Sequence, residues 1–293
     1  MENFDIYAAI TDRIIAELEN GIIPWHKPWT GTTTGAISRE TGRPYSLLNQ
    51  MLLGTPGEYL TWNQVKKEGG SVKKGAKAKM VVFWKVYPRE KKNTDGQTIT
   101  DAEGKPVMEG LPVLRYFNVF HIDDCEGIKP KYTAENTKHA DPIQYAEETF
   151  ADYVSRSGVR FENVRQDRAY YSPSQDLIRL PLMEQFPDTA EYYSTLFHEA
   201  THSTGHAKRL DRLPKDAIAA HFGSEEYSKE ELVAEIGAAS ILNVLGIETA
   251  GTFKNSAAYI RSWLKALKND KRMIVSAAAR AEKAVKLILN TAE

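Results

Sequence analysis

A short histidine and glutamate motif carries the clearest chemistry in the sequence. His198-Glu199-Ala200-Thr201-His202 has the HExxH pattern, in which two histidines stand four residues apart. On a helix this spacing puts both imidazoles on one face, where they can bind Zn²⁺, and Glu199 can act as general base. The pattern predicts one catalytic zinc ion, with His198 and His202 as ligands and Glu199 as the catalytic residue.

A catalytic zinc ion needs a third protein ligand and an open position for water. The metzincin arrangement would place a histidine six residues after His202, but Lys208 stands there. The gluzincin arrangement takes a glutamate from the next helix, where Glu231 and Glu235 share one face. We therefore predict Glu231 as the third ligand and Glu235 as the carboxylate that orients a ligand histidine through its other ring nitrogen.

The predicted reaction is hydrolysis of a peptide bond in an unidentified protein substrate. Zinc polarises the carbonyl and lowers the pKa of water towards about 7, while Glu199 takes the proton and passes it to the leaving amine. The segment Asp176 to Leu180 is interpreted as an edge strand that aligns the peptide by strand addition.

Some assignments at this site stay open. Glu230 can take the role of either acidic residue, and His221 is an alternative ligand from a loop. No oxyanion-stabilising residue is identifiable; the candidates are Tyr227, His206 and Arg209.

The elements that must position the motif are helical. Asp188 and Glu191 form a capping-box pattern and Gly205 follows the last turn, so a helix is predicted from Thr189 to Thr204. A helix over residues 143–157 and three short strands precede it, and helices over 228–245, 256–267 and 271–289 follow. This half therefore predicts a mostly helical domain with a small sheet.

Charge distinguishes the front half of the chain. The 38 Lys and Arg residues nearly balance 39 Asp and Glu, which excludes a globally basic nucleic-acid binder. Residues 60–92 nevertheless hold ten basic residues against two acidic ones, and residues 93–126 hold two against seven. The near-neutral total is therefore a cancellation.

Aromatic residues accompany the basic stretch, and rings beside cations bind single-stranded nucleic acid by stacking and charge. Strands are predicted over residues 79–87 and 113–122, where alternation must bury about half of the aromatic side chains. The candidate DNA-binding residues from this region are Trp25, Trp29, Tyr45, Trp62, Lys66, Lys73, Lys74, Lys77, Trp84 and Lys85.

The cysteine count, the apolar stretches and the length limit the kind of metal site, the membrane contact and the number of domains. The single cysteine, Cys125, excludes an internal disulfide and a cysteine-based zinc site. No stretch approaches the ~18 apolar residues needed to cross a bilayer, so a cytoplasmic protein without membrane contact is expected. The length suggests two domains; their predicted bounds are 1–127 and 143–293, with a polar linker over 128–142.

Several separated motifs resemble the ArdC-type antirestriction proteins. IYAAITDRIIAELENGIIPWHKPW, TGRPYSLLNQMLL, WNQVKKEGGSVKKGAKAKMVVFWK and FNVFHIDD look like their N-terminal domain, which TraC-type primases share. LFHEATHSTGH, YSKEELVAEIGAASIL and AAYIRSWLKALKNDKRMIVSAAARAEKAV look like their zincin-like metallopeptidase domain.

The resemblance implies an α+β protein of a mobile element: a mixed α/β single-stranded-DNA-binding domain followed by a mostly helical, gluzincin-like metallopeptidase domain. It implies protection of incoming DNA from restriction, with a restriction component as one candidate substrate. It adds Arg43 and Asn49 to the candidate DNA-binding residues. The alternative is a DNA-binding protein that protects by occupancy and carries a structural or vestigial metal site.

Overall fold

The computed structural model describes residues 4–26, 35–132, 141–213, 225–247 and 256–291. Their helices are α1 (Ile6–Glu19), α2 (Leu47–Leu53), α3 (Trp62–Lys67), α4 (Pro142–Ser157), α5 (Thr189–Ser203), α6 (Glu225–Leu245), α7 (Ser256–Asn269) and α8 (Met273–Leu289). Their strands are β1 (Ala36–Ser38), β2 (Gly57–Thr61), β3 (Ser71–Val72), β4 (Lys79–Glu90), β5 (Met108–His121), β6 (Cys125–Glu126), β7 (Arg160–Asn163), β8 (Tyr170–Ser172) and β9 (Leu177–Leu180). The predicted α+β class is confirmed.

The chain forms two compact units, which are Met1–Ile6 with Leu60–Lys129 and Tyr7–Tyr59 with Pro130–Glu293. Residues 7–59 thus group with the C-terminal segment, whereas the division predicted from the sequence places them in the N-terminal domain. Compactness and evolutionary domain limits are different criteria, so the division at residue 127 stays a prediction. Residues 133–140 of the predicted linker lie outside the described residues.

A long antiparallel ribbon of β4 and β5 dominates the first unit. Its register pairs Lys79 with Val119 at one end and Glu90 with Met108 at the other. Both strands extend beyond their predicted ends, because cross-strand hydrogen bonding continues into polar, exposed sequence. The short strands β3 and β6 pair beside it, and α3 is capped by a full capping box between Thr61 and Gln64.

Aromatic and aliphatic side chains of α4, β9, α5, α6 and α8 form the core of the second unit. Fully buried members include Tyr153, Ile178, Phe197, Ile241 and Ile288. This core lies behind the helix that carries the HExxH motif, so packing fixes which face of α5 is free for chemistry.

Residues 7–59 are joined to the C-terminal helices by specific contacts. The Thr11 hydroxyl donates to the carbonyl of Lys271 at 2.6 Å, and the Trp25 indole packs edge-on against Trp263 with ring centroids 5.3 Å apart. These contacts explain why the segment belongs to the second unit.

A buried carboxylate connects distant parts of the same unit. Glu58 on β2 is 1 % exposed and pairs with Arg39. It also accepts hydrogen bonds from the backbone N–H groups of Lys131 and Tyr132. A buried charge needs such partners, because burial without them is costly.

The small sheet before α5 has the strand order β7-β9-β8. β9 pairs in parallel with β7 and antiparallel with β8. The interpretation of residues 176–180 as an edge strand is therefore wrong, because both edges of β9 are already hydrogen-bonded. Substrate cannot be aligned there by strand addition.

No helix within the described ranges is both long enough and apolar enough to cross a lipid bilayer.

Candidate metal centre and nucleic-acid interface

The HExxH motif lies on α5, whose start is fixed by a side-chain cap. The Asp188 carboxylate accepts from the backbone N–H of Glu191 at 2.8 Å. Tyr193, Leu196 and Phe197 bury the inner face of the helix. His198 and His202 consequently share the face that meets α6.

Three potential ligand groups converge where α5 faces α6. The Nε2 atoms of His198 and His202 are 3.1 Å apart. Glu231 reaches both of them, with carboxylate oxygens 3.6 Å from Nε2 of His198 and 3.4 Å from Nε2 of His202. All three ligand atoms lie within 4.8 Å of one another.

The other ring nitrogens face two further carboxylates. Nδ1 of His202 donates to Glu230 at 3.3 Å, and Nδ1 of His198 lies 3.8 Å from Glu235. Carboxylates on the Nδ1 side favour the tautomer that keeps the proton there and leaves the Nε2 lone pair for a metal. Of the three acidic candidates on α6, only Glu231 therefore faces the Nε2 side.

The carboxylates shift the pKa values of the pair. Burial alone lowers the pKa of His202, but hydrogen bonds to Glu230 and Glu231 outweigh it and hold that pKa well above its usual value. Burial raises the pKa of Glu235. For Glu231, burial is outweighed by the hydrogen bonds from both histidines, so its pKa is strongly lowered. The site concentrates negative charge from carboxylates, which a bound cation would neutralise.

The donor set fits a divalent ion. Two nitrogens bound at ~2.0–2.1 Å in tetrahedral geometry lie roughly 3.3 Å apart, close to the separation seen here. Two imidazoles with one carboxylate form a catalytic zinc set that leaves a fourth position open. Four carboxylates, from Glu199, Glu230, Glu231 and Glu235, surround the site, which favours cation binding further.

Glu199 stands between the two histidines on α5 and is 9 % exposed. Its carboxylate is close enough for its charge to act on both imidazoles. The structure therefore brings together the four residues that the sequence predicted for the centre, with Glu235 behind His198.

Two of the three oxyanion candidates, Arg209 and His206, are described, and both make other contacts. The Arg209 guanidinium donates hydrogen bonds to the Asp176 carboxylate, the Tyr171 hydroxyl and the Ser203 carbonyl. The His206 imidazole accepts from the backbone N–H of Lys208 through Nδ1 at 3.2 Å. His221 and the side chain of Tyr227 lie outside the described residues.

Alternation divides the outer part of the ribbon into two faces. The Lys85 face carries Phe83, Lys85, Arg115 and Phe117. Phe83 and Phe117 stack with ring centroids 4.8 Å apart, and Phe117 stays 54 % exposed. Lys85 and Arg115 are exposed as well, so this face combines aromatic rings with cations.

The opposite Trp84 face carries Trp84, Val86, Pro112 and Tyr116. Its rings are also exposed, and Phe4 packs against Tyr116 with centroids 5.0 Å apart. Trp84 and Lys85 were both predicted to bind DNA, but consecutive strand residues point to opposite sides. One extended nucleic-acid strand lying on a single face cannot contact both.

The remaining candidates of the first unit are exposed. Trp62 is 49 % exposed, with the Lys66 ammonium 5.3 Å from its ring centroid. Lys74 and Lys77 are exposed on the loop after β3, whereas Lys73 donates to the carbonyl of Asp123.

Two of the four described candidates within residues 7–59 are buried. Trp25 is 1 % exposed and Asn49 is 5 % exposed, so in this conformation neither can stack on a base or contact a phosphate; their predicted role is replaced by packing. Tyr45 is half-buried against Tyr59, and Arg43 is exposed. Trp29 lies outside the described residues.

Sequence reasoning missed Arg212 and Arg115. Arg212 follows the motif helix in a loop, where spacing carries no signal of its contact with Glu230. Arg115 lies in a predicted strand, but its position opposite Phe83 follows from the register against β4, which the sequence does not show.

Comparisons with known proteins give a family match for each half of the chain. Residues 4–120 match the family model "N-terminal domain of anti-restriction factor ArdC", and residues 148–280 match "Zincin-like metallopeptidase". DNA primase TraC of Escherichia coli is 36 % identical over 295 residues, which is 96 % of this chain and 26 % of the primase. The chain thus spans about a quarter of that relative's length.

Solved structures of the antirestriction protein ArdC from plasmid R388 are similar over nearly the whole chain. The metal-free structure has a TM-score of 0.72 at 35 % identity and covers 97 % of both chains. The Mn(II)-bound structure has a TM-score of 0.73 at 34 % identity and covers 98 % of both.

Proposed function

This chain belongs to the ArdC-type family of antirestriction proteins, and from that premise we propose that it combines a zinc-dependent peptidase centre with a surface for single-stranded DNA. The observation that carries the peptidase half is the convergence of His198, His202 and Glu231 beside Glu199. The domain limits proposed for the two activities are residues 1–127 and 143–293, with 128–142 as the linker.

His198, His202 and Glu231 would hold the ion. Zn²⁺ is the proposed ion because two imidazoles and a carboxylate suit it, and the similar R388 protein is known with Mn(II). When bound, such an ion supplies Lewis acidity towards a carbonyl and towards water.

The chain's own residues supply the other parts of the reaction. Glu199 would accept a proton from the attacking water and return it to the leaving amine. This role is supported by its carboxylate, which is close enough for its charge to act on both imidazoles. Glu230 and Glu235 hold the imidazoles from the Nδ1 side. The protein substrate is unidentified.

We place the DNA on the Lys85 face of the ribbon. Phe117 offers an exposed ring for a base, while Lys85 and Arg115 lie beside it for phosphates. Trp62 and Lys66 form a second aromatic and basic pair in the same unit. The similarity to the ArdC N-terminal domain and to a DNA primase supports a nucleic-acid partner.

A second candidate is protection by DNA occupancy alone, with a structural metal. The ligands come from both α5 and α6, so an ion there would also hold two core helices together. This second candidate function requires no hydrolysis.

The deciding experiment measures zinc content of the purified protein by mass spectrometry and hydrolysis of an unfolded protein substrate with and without a single-stranded oligonucleotide. The peptidase proposal predicts one zinc per chain and hydrolysis that a chelator abolishes and zinc restores. Bound zinc without hydrolysis under any condition favours occupancy, and absence of bound metal refutes the metal centre.

A further inference from the structure

We propose that Arg212 is a positioning residue for the metal centre: it fixes Glu230, which in turn fixes the His202 imidazole with Nε2 towards the ion. The inference rests on the metal role proposed above and extends it to a residue in the loop after α5. Within the described residues its hydrogen bonds go to Glu230, Thr204 and Thr201, none of which is a proposed ligand.

The Arg212 guanidinium connects both helices of the site. Its Nε donates to Glu230 at 3.0 Å and its Nη2 at 2.8 Å. The same group donates to the hydroxyl of Thr204 at 2.6 Å and to the carbonyl of Thr201. Because the side chain is only 7 % exposed, solvent competes little for these bonds.

Glu230 passes this constraint on to one histidine. Its Oε1 atom accepts from Nη2 of Arg212 and from Nδ1 of His202. The forked guanidinium therefore limits where the carboxylate can stand and which way the imidazole points.

The two ligand histidines differ in the distance from Nδ1 to the nearby carboxylate. His198 faces Glu235 across 3.8 Å, whereas His202 has a closer carboxylate, Glu230, which Arg212 binds.

The loop after α5 is tightly folded at Gly205, since a Cβ on Gly205 would lie 2.8 Å from Leu213 Cγ and 3.1 Å from Arg212 Cγ. A glycine at 205 lets the loop fold tightly enough for Arg212 to return to the site.

Arg209 offers a matched control. It lies in the same loop, is 4 % exposed, and binds the carboxylate of Asp176 together with the carbonyl of Ser203. It thus anchors the end of α5 as Arg212 does, but within the described residues its hydrogen bonds and ion pairs reach neither Glu230 nor a ligand histidine. If substitution weakened metal binding only by loosening the end of α5, variants of either arginine would show the loss.

The test is the Zn²⁺ dissociation constant of the full chain, measured by competition with a chromogenic chelator. Arg212→Ala should weaken Zn²⁺ binding by about tenfold or more, and Arg212→Lys, which keeps the charge but loses the fork, by less. Arg209→Lys should bind as the wild type does. Unfolding of each metal-free variant is followed by circular dichroism, so that affinity is compared among folded proteins.

A double-mutant cycle tests the route through Glu230. If Arg212 acts through that carboxylate, Arg212→Ala combined with Glu230→Gln binds Zn²⁺ as weakly as Glu230→Gln alone. Fully additive losses would overturn the proposal.

Equal losses in Arg212→Lys and Arg209→Lys would also overturn it, as would wild-type affinity in folded Arg212→Ala. If Arg212→Ala does not fold, Arg212→Lys decides by the same criterion. These outcomes leave the peptidase proposal untouched. A wild-type chain that binds zinc but hydrolyses nothing refutes the peptidase and leaves this inference standing, whereas a wild-type chain that binds no zinc overturns both.

Discussion

Gly237 of α6 lies directly against Thr201 of α5, one residue before the proposed ligand His202. A Cβ placed on Gly237 would stand 2.6 Å from Cγ2 and 2.8 Å from Oγ1 of Thr201. The two helices therefore approach more closely than any other residue at 237 would allow. This approach brings Glu231 within reach of both imidazoles.

We expect Gly237→Ala to destabilise the protein and weaken Zn²⁺ binding. Helix propensity favours alanine by about 1 kcal/mol, but overpacking a core typically costs about 1–3 kcal/mol. Urea unfolding and zinc titration measure the two effects. Adding Thr201→Ala should restore much of both losses, because the nearest remaining atom, Cβ, would be 3.3 Å away. A single variant as stable and as zinc-binding as the wild type would contradict the steric account.

Glu199→Gln should abolish hydrolysis while zinc stays bound. Loss of a general base lowers rates by roughly 10²–10⁴-fold, and Glu199 is not one of the three proposed ligands. Product release from an unfolded substrate and zinc content are measured on the same preparation, with Glu191→Gln on the same helix as control. Protection of incoming DNA in cells is then compared: if Glu199→Gln still protects fully, occupancy rather than proteolysis is the mechanism.

Phe117→Ala and Trp84→Ala form a matched pair for the DNA surface. Loss of a stacking ring should weaken binding of a single-stranded oligonucleotide by about 1–3 kcal/mol, and we expect that loss for Phe117 only, because Trp84 lies on the opposite face. Fluorescence anisotropy at two salt concentrations measures both affinities. The opposite ranking would move the DNA to the Trp84 face; equal and small effects would remove it from the ribbon.

Asp176 should make stability depend on pH in the acid range. Burial by itself raises the pKa of this carboxyl, but hydrogen bonds from Arg209 and Tyr171 outweigh it and lower the pKa below its usual 3.8. A lowered folded-state pKa gives stability that is present above the unfolded pKa and is lost as pH falls through the folded one.

Urea unfolding of the wild type and of Asp176→Asn measures this effect. Asparagine also suits the left-handed backbone at this position, where φ is 48°. The stability difference between the two proteins should be constant near neutral pH and shrink below about pH 4. A difference that persists unchanged into that range would argue against the ion pair.

Local signals were enough to predict the helices. Apolar spacing and end signals placed α4, α5, α7 and α8 to within two residues of their observed ends. The three-residue strand β1 and the strand β2 were missed, because their parallel pairing joins separate segments and leaves no periodic pattern. Similarly, nothing local shows that β9 is flanked on both sides.

At the site, too, residues with local sequence signals were predicted, and contacts between distant residues were not. His198, Glu199 and His202 lie in one helical turn, and Glu231 follows from i, i+4 spacing on the next helix. The roles of Trp25 and Arg212 depend on Trp263 and Glu230, which are distant in sequence. Such contacts follow from tertiary packing, which a single sequence does not display.

The buried Glu58 carboxylate has a practical consequence for dividing the protein. A fragment that stops at residue 127 would remove the backbone N–H donors of Lys131 and Tyr132 while keeping the carboxylate and Arg39. It would also expose the Trp25 ring that Trp263 covers. A fragment made for DNA binding should therefore be taken from residues 60–129, the long segment of the first unit, or DNA binding should be studied with the full chain.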